Sequence, residues 1–233
     1  MEKICSDLWV CNGTSVPFLT IPFSTRMVVI RLPQNKLWVH SPIALTEEIR
    51  EWIDGIGDVQ YLIAPNHLHH LFLHEWQQAY PSALTYGTEE LIKKRSDLVF
   101  SGELTTAGHY PWKVDIEQLL FTGSPLMQES VFLHVASKSL IVTDLIENFS
   151  PDGFSFTQRI LLRLTGILAP NGRTPIDWRF SFLFGRNEAR RHYDRLLAWK
   201  PVRIIMAHGE IIETDAEGFL KKSFAWLRPV EKV

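Results

Sequence analysis

Residues 61–70 read YLIAPNHLHH, so a short apolar run passes directly into a loop that carries three histidines. An apolar run of this length is typical of a buried strand, and Pro65 ends it. Side chains at the end of a strand have directions fixed by the backbone, and the following loop leaves room for a ligand. His67, His69 and His70 are therefore candidate ligands of a functional site.

Two later segments repeat this layout, in which an apolar strand ends in a residue of a metal-binding type. Residues 139–144 read SLIVTD and end on Asp144, and residues 204–209 read IIMAHG and place His208 before a glycine. Imidazole and carboxylate groups are ligands that zinc, iron and manganese accept in proteins. The three segments together predict a metal site.

The sequence around these segments alternates between strand and helix patterns. Residues 27–32 and 36–40 are predicted to be the two strands of a hairpin. Thr46, followed by two glutamates, starts an amphipathic helix, and Gly57 ends it. Strand patterns followed by helices predict sheets whose outer faces are covered by helices.

Residues 149–185 differ from the rest and are interpreted as an insertion or cap within a single domain of residues 1–233. Near its end, every second residue from 178 to 184 is aromatic, namely Trp178, Phe180, Phe182 and Phe184. Two interpretations stay open. The aromatic side chains pack the cap, or Trp178, Phe180 and Phe182 wall a substrate pocket together with Arg179.

The composition fits a globular protein with a core, since 45% of the residues are hydrophobic and 21% are charged. A formal net charge of −2 supplies no basic footprint for a phosphate backbone, so we expect no nucleic-acid partner. The most apolar stretch, residues 154–168, is interrupted by charged residues, and we expect no membrane partner either. Cys5 and Cys11 with no leader pattern favour a reducing, cytoplasmic location. The oligomeric state stays open.

The order of these segments resembles the metallo-β-lactamase-like hydrolase/oxidoreductase superfamily, and within it an uncharacterised branch, a domain family of unknown function. The similarity lies in an N-terminal hairpin, a histidine-rich loop, an aspartate after a strand and a late strand that ends in His-Gly. The matching phrases are APN at 64–66 with HH at 69–70, LIVTDL at 140–145 and AHG at 207–209. The resemblance covers nearly the whole chain. It implies an α+β fold, a four-layer αββα sandwich, with a metal site at one edge between the sheets.

The main motif of that superfamily, His-x-His-x-Asp-His, is incomplete in this chain. Placing His70 last puts His67 at the second histidine, with a proline and His69 at the first-histidine and aspartate positions. Placing His67 and His69 at the two early histidines leaves a leucine and a phenylalanine at the last two positions. Glu129 stands near the mid-chain histidine position and is interpreted as a solvated charge at a strand edge. His40 stands near the position of an early aspartate, where it is either a partner of the site or a solvated strand end.

The resemblance implies that Asp144 takes the place of the bridging aspartate and His208 that of the last histidine. With His67, His69 and His70 these residues supply enough ligands for one ion, zinc or alternatively iron or manganese. We expect a metal-dependent hydrolase of an unidentified small molecule (an ester, thioester, amide or phosphoester), with Asp144 and His69 as catalytic residues. The alternative is a non-catalytic binding or scaffold protein that keeps the sandwich fold with a degenerate metal site.

Overall fold

The structure is a computed structural model that describes residues 1–18 and 21–227. The chain divides into two units, residues 1–115 and 116–233, and each is built on its own main sheet. Within the described ranges, no helix is both long and apolar enough to cross a bilayer.

The first unit has a seven-stranded sheet in the order β1-β2-β5-β6-β7-β8-β9 and a separate two-stranded ribbon of β3 and β4. Its strands are β1 (Glu2–Cys5), β2 (Leu8–Asn12), β3 (Val16–Phe18), β4 (Ile21–Phe23), β5 (Arg26–Leu32), β6 (Lys36–His40), β7 (Asp58–Ala64), β8 (Leu84–Gly87) and β9 (Gly102–Glu103). The predicted hairpin is confirmed as the antiparallel pair β5–β6.

The later half of this sheet is parallel, because β6, β7, β8 and β9 are joined through helices. These helices are α1 (Glu47–Ile56), α2 (Leu73–Ala79) and α3 (Glu89–Lys94). Carboxyl ends of neighbouring parallel strands meet at one edge of a sheet. The residues that follow β6 and β7 are therefore neighbours.

The helix predicted after Thr46 is confirmed as α1. The Thr46 hydroxyl accepts a hydrogen bond from the Ile49 amide at 3.3 Å, and the helix ends before Gly57. Its buried side chains Ile49 and Ile53 belong to the apolar core of the first unit. Burial of this face fixes the position of the chain between β6 and β7.

The second unit has a four-stranded sheet in the order β10-β11-β12-β13. The strands are β10 (Ile116–Phe121), β11 (Glu129–His134), β12 (Ser139–Val142) and β13 (Arg203–Met206). The last two run parallel, with Val142 opposite Met206. The chain therefore leaves both strands at the same edge, toward Asp144 and His208.

Among its described residues, the second unit has the α-helices α4 (Phe156–Thr165), α5 (Ile176–Ser181), α6 (Arg186–Ala198) and α7 (Ala216–Ser223). Buried residues of α6 and α7 form one apolar core with β10, β12 and β13. Trp178 and Phe182 lie in this core, whereas Phe180 and Phe184 are exposed. The packing interpretation of the aromatic run is therefore confirmed for alternate members only.

Candidate metal centre

The end of β6 meets the histidine loop after β7 through a hydrogen bond between Ser41 and His69. The Ser41 amide donates to the carbonyl oxygen of Ile63 at 2.9 Å, which continues the parallel pairing by one residue. Ser41 then turns with φ of +52°, a left-handed conformation that is uncommon for serine. Its Oγ atom lies 2.6 Å from Nδ1 of His69. The hydroxyl thereby fixes the ring of His69.

Asn66 holds the loop that carries His69. Its side chain is fully buried, and Oδ1 accepts hydrogen bonds from the amides of Leu68 at 2.8 Å and His69 at 3.0 Å. An asparagine side chain that accepts from amides two and three residues later stabilises a tight turn. This turn, rather than a helix, contains the three histidines, because α2 begins only at Leu73.

His67 and His70 contact charged side chains of the helical segment that follows β8. Nδ1 of His67 lies 3.1 Å from Oε2 of Glu90, and Nδ1 of His70 lies 2.7 Å from Nη1 of Arg95. An arginine guanidinium only donates, so Nδ1 of His70 must accept and its proton lies on Nε2. Burial, followed by the nearby Lys94 and Arg95 charges, lowers the pKa of His70 to about 4. His70 is thus a neutral ring whose accepting nitrogen is engaged by Arg95.

His40 lies deep in the core of the first unit instead of at a solvated strand end. Only 1% of its surface is exposed, and its ring stacks on that of Trp38 with a centroid distance of 5.5 Å. Burial, with a smaller effect of His69, lowers the pKa of His40 to about 3. His40 is therefore neutral at physiological pH. The expectation of a solvated side chain is wrong, because the strand continues into a buried turn at Ser41.

Asp144 and His208 lie together at the edge of the second sheet, as the strand patterns indicate. Each stands two residues beyond one member of the paired positions Val142 and Met206. Nε2 of His208 lies 3.1 Å from Oδ1 of Asp144, and both side chains are buried. An acidic and a basic side chain are thus held in contact away from bulk water.

Glu129 fixes the loop that presents Asp144. The carboxylate is fully buried and accepts three backbone hydrogen bonds, from Thr143 at 2.7 Å, Asp144 at 2.8 Å and Leu145 at 3.0 Å. Hydrogen bonds to a charged acceptor are among the stronger ones in proteins. The expectation that Glu129 is a solvated edge charge is wrong. Hydrogen bonds from the backbone amides of the turn after β12 stabilise its buried negative charge.

His208 is held from the other side by the backbone of Asn148 and the ring of Phe149. Its carbonyl oxygen accepts from the Asn148 amide at 3.2 Å, and its ring stacks on Phe149 with a centroid distance of 6.0 Å. Gly209 follows with φ of +95°, and a Cβ there would lie 2.0 Å from the Asn148 carbonyl oxygen. Only glycine fits this close approach.

A further buried carboxyl group, Glu147, adds to the electrostatics around Asp144. Burial raises the pKa of Glu147 well above its usual range, and the nearby charges of Asp144, Asp177 and Glu129 raise it further. Several carboxyl groups therefore share a poorly solvated region. Such a region favours a cation or a bound proton.

The arrangement of Asp144 and His208 fits a metal ion. Two ligand atoms on one tetrahedral zinc ion, each about 2.0 to 2.1 Å from the metal, are separated by roughly 3.3 Å. The observed 3.1 Å between Oδ1 and Nε2 is compatible with that separation and is also the length of an ordinary hydrogen bond. In a metal site each ligating histidine also needs a partner for its other ring nitrogen. Ser41 supplies such a partner to His69.

Sequence reasoning identified Asp144 and His208, which the structure brings together, but it missed the partners of the histidines. The sequence predicts no contact with the histidines for Ser41, Glu90 or Arg95. It predicts a solvated Glu129, which is wrong. One signal was present for Ser41, since it directly follows a strand that is parallel to the strand before the histidine loop. The contacts of α3 carry no such signal.

Comparison with solved structures confirms the predicted α+β fold of metallo-β-lactamases. A metallo-β-lactamase from Hirschia baltica matches with a TM-score of 0.65 at 13% identity, over 97% of this chain and 96% of the other. The metallo-β-lactamase FIM-1 from Pseudomonas aeruginosa, in its mono-zinc form, matches with a TM-score of 0.63 at 10% identity, over 98% and 96%. The metal-soaked Flv1 flavodiiron core from Synechocystis sp. PCC6803 matches with 0.62 at 12% identity, over 95% and 59%.

Sequence comparison with functionally characterised proteins finds no significant match. A family model does match the chain, over residues 9–158, which include Ser41, the histidine loop, Glu129 and Asp144. The matched part of the chain ends before His208. On this match the chain belongs to the family described as a domain of unknown function, DUF4336, and it has the fold of the metallo-β-lactamases.

Proposed function

We propose that this protein is a metal-dependent hydrolase that binds one divalent ion through His69, Asp144 and His208. Each of the three side chains offers one ligand atom of a type that zinc, iron and manganese accept. Three protein ligands leave a coordination position for water or substrate, which is the pattern of catalytic zinc sites. His67 and His70, expected as ligands from the sequence, are proposed here to orient the loop through Glu90 and Arg95.

The observation that carries this proposal is the buried contact between Asp144 and His208. Charged residues are almost never fully buried unless they are paired or bind a metal. Here both stand two residues beyond paired positions of parallel strands, and Glu129 fixes the loop of one of them with three hydrogen bonds. A concentration of buried, hydrogen-bonded polar groups in one turn is typical of a functional site.

The choice of metal is proposed by analogy. One structure with the same fold was solved in a mono-zinc form and another has a flavodiiron core. A single aspartate with two histidines suits zinc, and we propose zinc with iron or manganese as alternatives. A bound ion supplies Lewis acidity, which activates water and polarises an oxygen of the substrate.

The residues of this chain then have separate tasks. One carboxylate oxygen of Asp144, Oδ1, faces His208. The other oxygen is proposed to accept the proton of the water that attacks the substrate. Ser41, at 2.6 Å from Nδ1, holds the ring of His69 so that Nε2 is directed to a ligand. Asp144 lies in poorly solvated surroundings, which strengthen the electrostatic interactions of its carboxylate. We propose an ester, thioester, amide or phosphoester of a small molecule as the substrate.

Metal analysis of the purified protein tests the proposal directly. After dialysis against zinc, iron or manganese, we expect about one ion per chain by mass spectrometry of the metals. Asp144→Asn and His208→Gln should each reduce this content at least about tenfold. His134→Gln is the matched control, because His134 is a buried histidine of the same sheet whose Nδ1 contacts Ser137 at 2.7 Å.

Less than about 0.1 ion per chain for the unaltered protein would refute the metal site. Activity is measured on chromogenic esters, thioesters and phosphodiesters with the metal-loaded protein. Hydrolysis that disappears in Asp144→Asn and persists in His134→Gln supports the enzyme. Binding of one ion without hydrolysis of any of these compounds would favour the non-catalytic alternative.

A further inference from the structure

Helix α4 presents a wide apolar face to solvent. Phe156, Ile160, Leu161 and Leu164 are all exposed, with Phe156 at 78% and Leu164 at 71%. At about 100° per residue these four side chains cover an arc of roughly 140°. Soluble proteins rarely leave a contiguous apolar surface of this kind without a partner. We call these four side chains the apolar face of α4.

The helix that carries this face is firmly held. Ser155 and Gln158 form a reciprocal capping box at its N-terminus, and Gly166 ends it in the left-handed conformation. Leu162, on another side of the helix, is fully buried. The apolar face is therefore a preformed surface on an anchored helix.

A second group of exposed apolar side chains lies at the end of α5 and in the turn that follows it. Phe180, Leu183 and Phe184 are exposed, and Phe184 is 98% exposed. Arg179 joins this region to the end of α4, because its Nη2 atom donates to the Thr165 carbonyl oxygen at 3.1 Å. Exposed apolar side chains therefore occur on both of the segments that this hydrogen bond connects.

The stretch of sequence that carries these side chains is rich in arginine. Residues 154–186 contain five arginines and one aspartate, a formal charge of +4, whereas the whole chain carries −2. On α4 the charged residues are Arg159 and Arg163, both exposed and both at one border of the apolar face. A helix with phenylalanine and leucine on one side and arginine beside them is typical of helices that lie in the surface of an anionic bilayer.

The sequence alone led us to expect no membrane partner, but on these exposed side chains we propose that the apolar face of α4 docks this protein on the surface of a lipid bilayer that contains anionic lipid. Phe156, Ile160 and Leu164 enter the boundary between headgroups and acyl chains, while Arg159 and Arg163 bind lipid phosphates. Charge complementarity favours this partner over a second copy of the chain. A two-fold dimer places the same patch on both subunits and brings these arginines toward their own copies. The proposal does not depend on the metal site.

Co-sedimentation with vesicles tests the proposal on the whole chain of residues 1–233. One vesicle type contains phosphatidylcholine alone, and the other contains phosphatidylcholine with phosphatidylserine. We expect binding to the second type that is about tenfold stronger or more, since each arginine near an anionic surface contributes to the attraction. The preference should fall as the salt concentration rises.

Variants separate the apolar and the charged contributions. Phe156→Ser combined with Leu164→Ser should abolish the binding, and Arg159→Glu combined with Arg163→Glu should abolish the preference for phosphatidylserine. The matched control is Val99→Ser combined with Val114→Ser, which removes two apolar side chains that are 77% and 86% exposed in the first unit. This control should bind as the unaltered protein does.

Three results would overturn the proposal. The first is absence of the unaltered protein from the vesicle pellet of either composition. The second is unchanged binding by the Phe156 and Leu164 variant, whose folding is checked by circular dichroism. The third is a concentration-dependent dimer in analytical ultracentrifugation that the same variant loses, because the face would then be an interface between copies of the chain.

Discussion

The hydroxyl of Ser41 lies 2.6 Å from Nδ1 of His69, although 28 residues separate them in the sequence. The contact follows from the parallel pairing of β6 with β7, since the two residues lie in the segments that leave these strands at one edge. Ser41 adopts φ of +52° at this point, where glycine would be less strained. A strained backbone at a candidate site is retained when the side chain has a task.

The first prediction separates the hydroxyl of Ser41 from its backbone strain. Ser41→Ala removes the hydroxyl and keeps a Cβ at positive φ, whereas Ser41→Gly removes both. Both variants should weaken zinc binding about tenfold, because the ring of His69 loses its partner. The glycine variant should be the more stable of the two by about 1 kcal/mol in urea unfolding. Equal zinc affinity in both variants and the unaltered protein would show that Ser41 does not position His69.

The second prediction concerns Glu129, whose two carboxylate oxygens accept three amides. Glu129→Gln replaces one acceptor by an NH2 group that faces those amides, so we expect a loss on the order of 3 kcal/mol in the free energy of unfolding. Glu117→Gln is the control. Glu117 accepts one hydrogen bond, from Nε1 of Trp199 at 2.8 Å. Its substitution should lower the free energy of unfolding by about 1 kcal/mol or less.

The same variant also reports on Asp144, because Glu129 fixes the loop that presents it. We expect Glu129→Gln to lower zinc affinity at temperatures where the protein remains folded, about tenfold relative to Glu117→Gln. A variant that is less stable but binds zinc with unchanged affinity would assign Glu129 to stability alone.

The sequence predicts the strands that carry Asp144 and His208 because buried parallel strands are short, continuous apolar runs. The contact between the two residues then depends only on which strands are neighbours. The partners of the histidine loop are different, because they depend on side-chain directions. Arg95 reaches His70 across 25 residues from the C-terminal end of α3, and no periodicity indicates such a contact.

Glu129 shows why the burial of a charged residue cannot be predicted from its neighbours in the sequence. A glutamate at the start of an apolar strand is ordinarily solvated, and burial costs several kcal/mol unless hydrogen bonds offset it. The offset here comes from backbone amides of residues 143–145, which have no side-chain signature. His40 was misplaced for a similar reason, since nothing in its neighbours indicates that the turn at Ser41 is buried.

The third prediction is a dependence of stability on pH that arises from His40. Burial holds the pKa of His40 at about 3, below the ordinary histidine value of about 6.5 in the unfolded chain. Between these values the unfolded state binds more protons, so stability rises with pH and is lost as the solution is acidified. The free energy of unfolding should fall by about 1.4 kcal/mol for each pH unit below 6 from this residue alone.

Urea unfolding at several pH values between 7 and about 4 measures this slope. His40→Phe preserves a ring that stacks on Trp38 and should remove about one proton from the slope. His109→Gln, which alters an exposed histidine, is the control for the substitution of a histidine as such. An identical slope in His40→Phe and the unaltered protein would show that His40 is not a buried neutral ring. His70, with its pKa near 4, adds to the slope in the same direction.

The fourth prediction uses two glycines with opposite surroundings. At Gly209, φ is +95° and a Cβ would lie 2.0 Å from the Asn148 carbonyl oxygen, so Gly209→Ala forces the backbone beside His208 to move. We expect a loss of stability above about 2 kcal/mol, because strain and a steric clash act together. Gly55 lies inside α1, and a Cβ placed there would meet no atom within 4 Å apart from its own chain neighbours and the backbone of its own helix. Gly55→Ala should therefore stabilise the protein by up to about 1 kcal/mol, since alanine favours the helix.

Zinc affinity of these two variants adds a second readout of the site. Gly209→Ala should weaken binding because the displaced backbone carries His208, whose carbonyl oxygen is hydrogen-bonded to the Asn148 amide. Gly55→Ala should bind zinc as the unaltered protein does, because α1 contributes no proposed ligand. If Gly209→Ala loses stability and keeps its zinc affinity, the position of His208 is not what determines metal binding. The ligand set of Asp144 and His208 would then have to be abandoned.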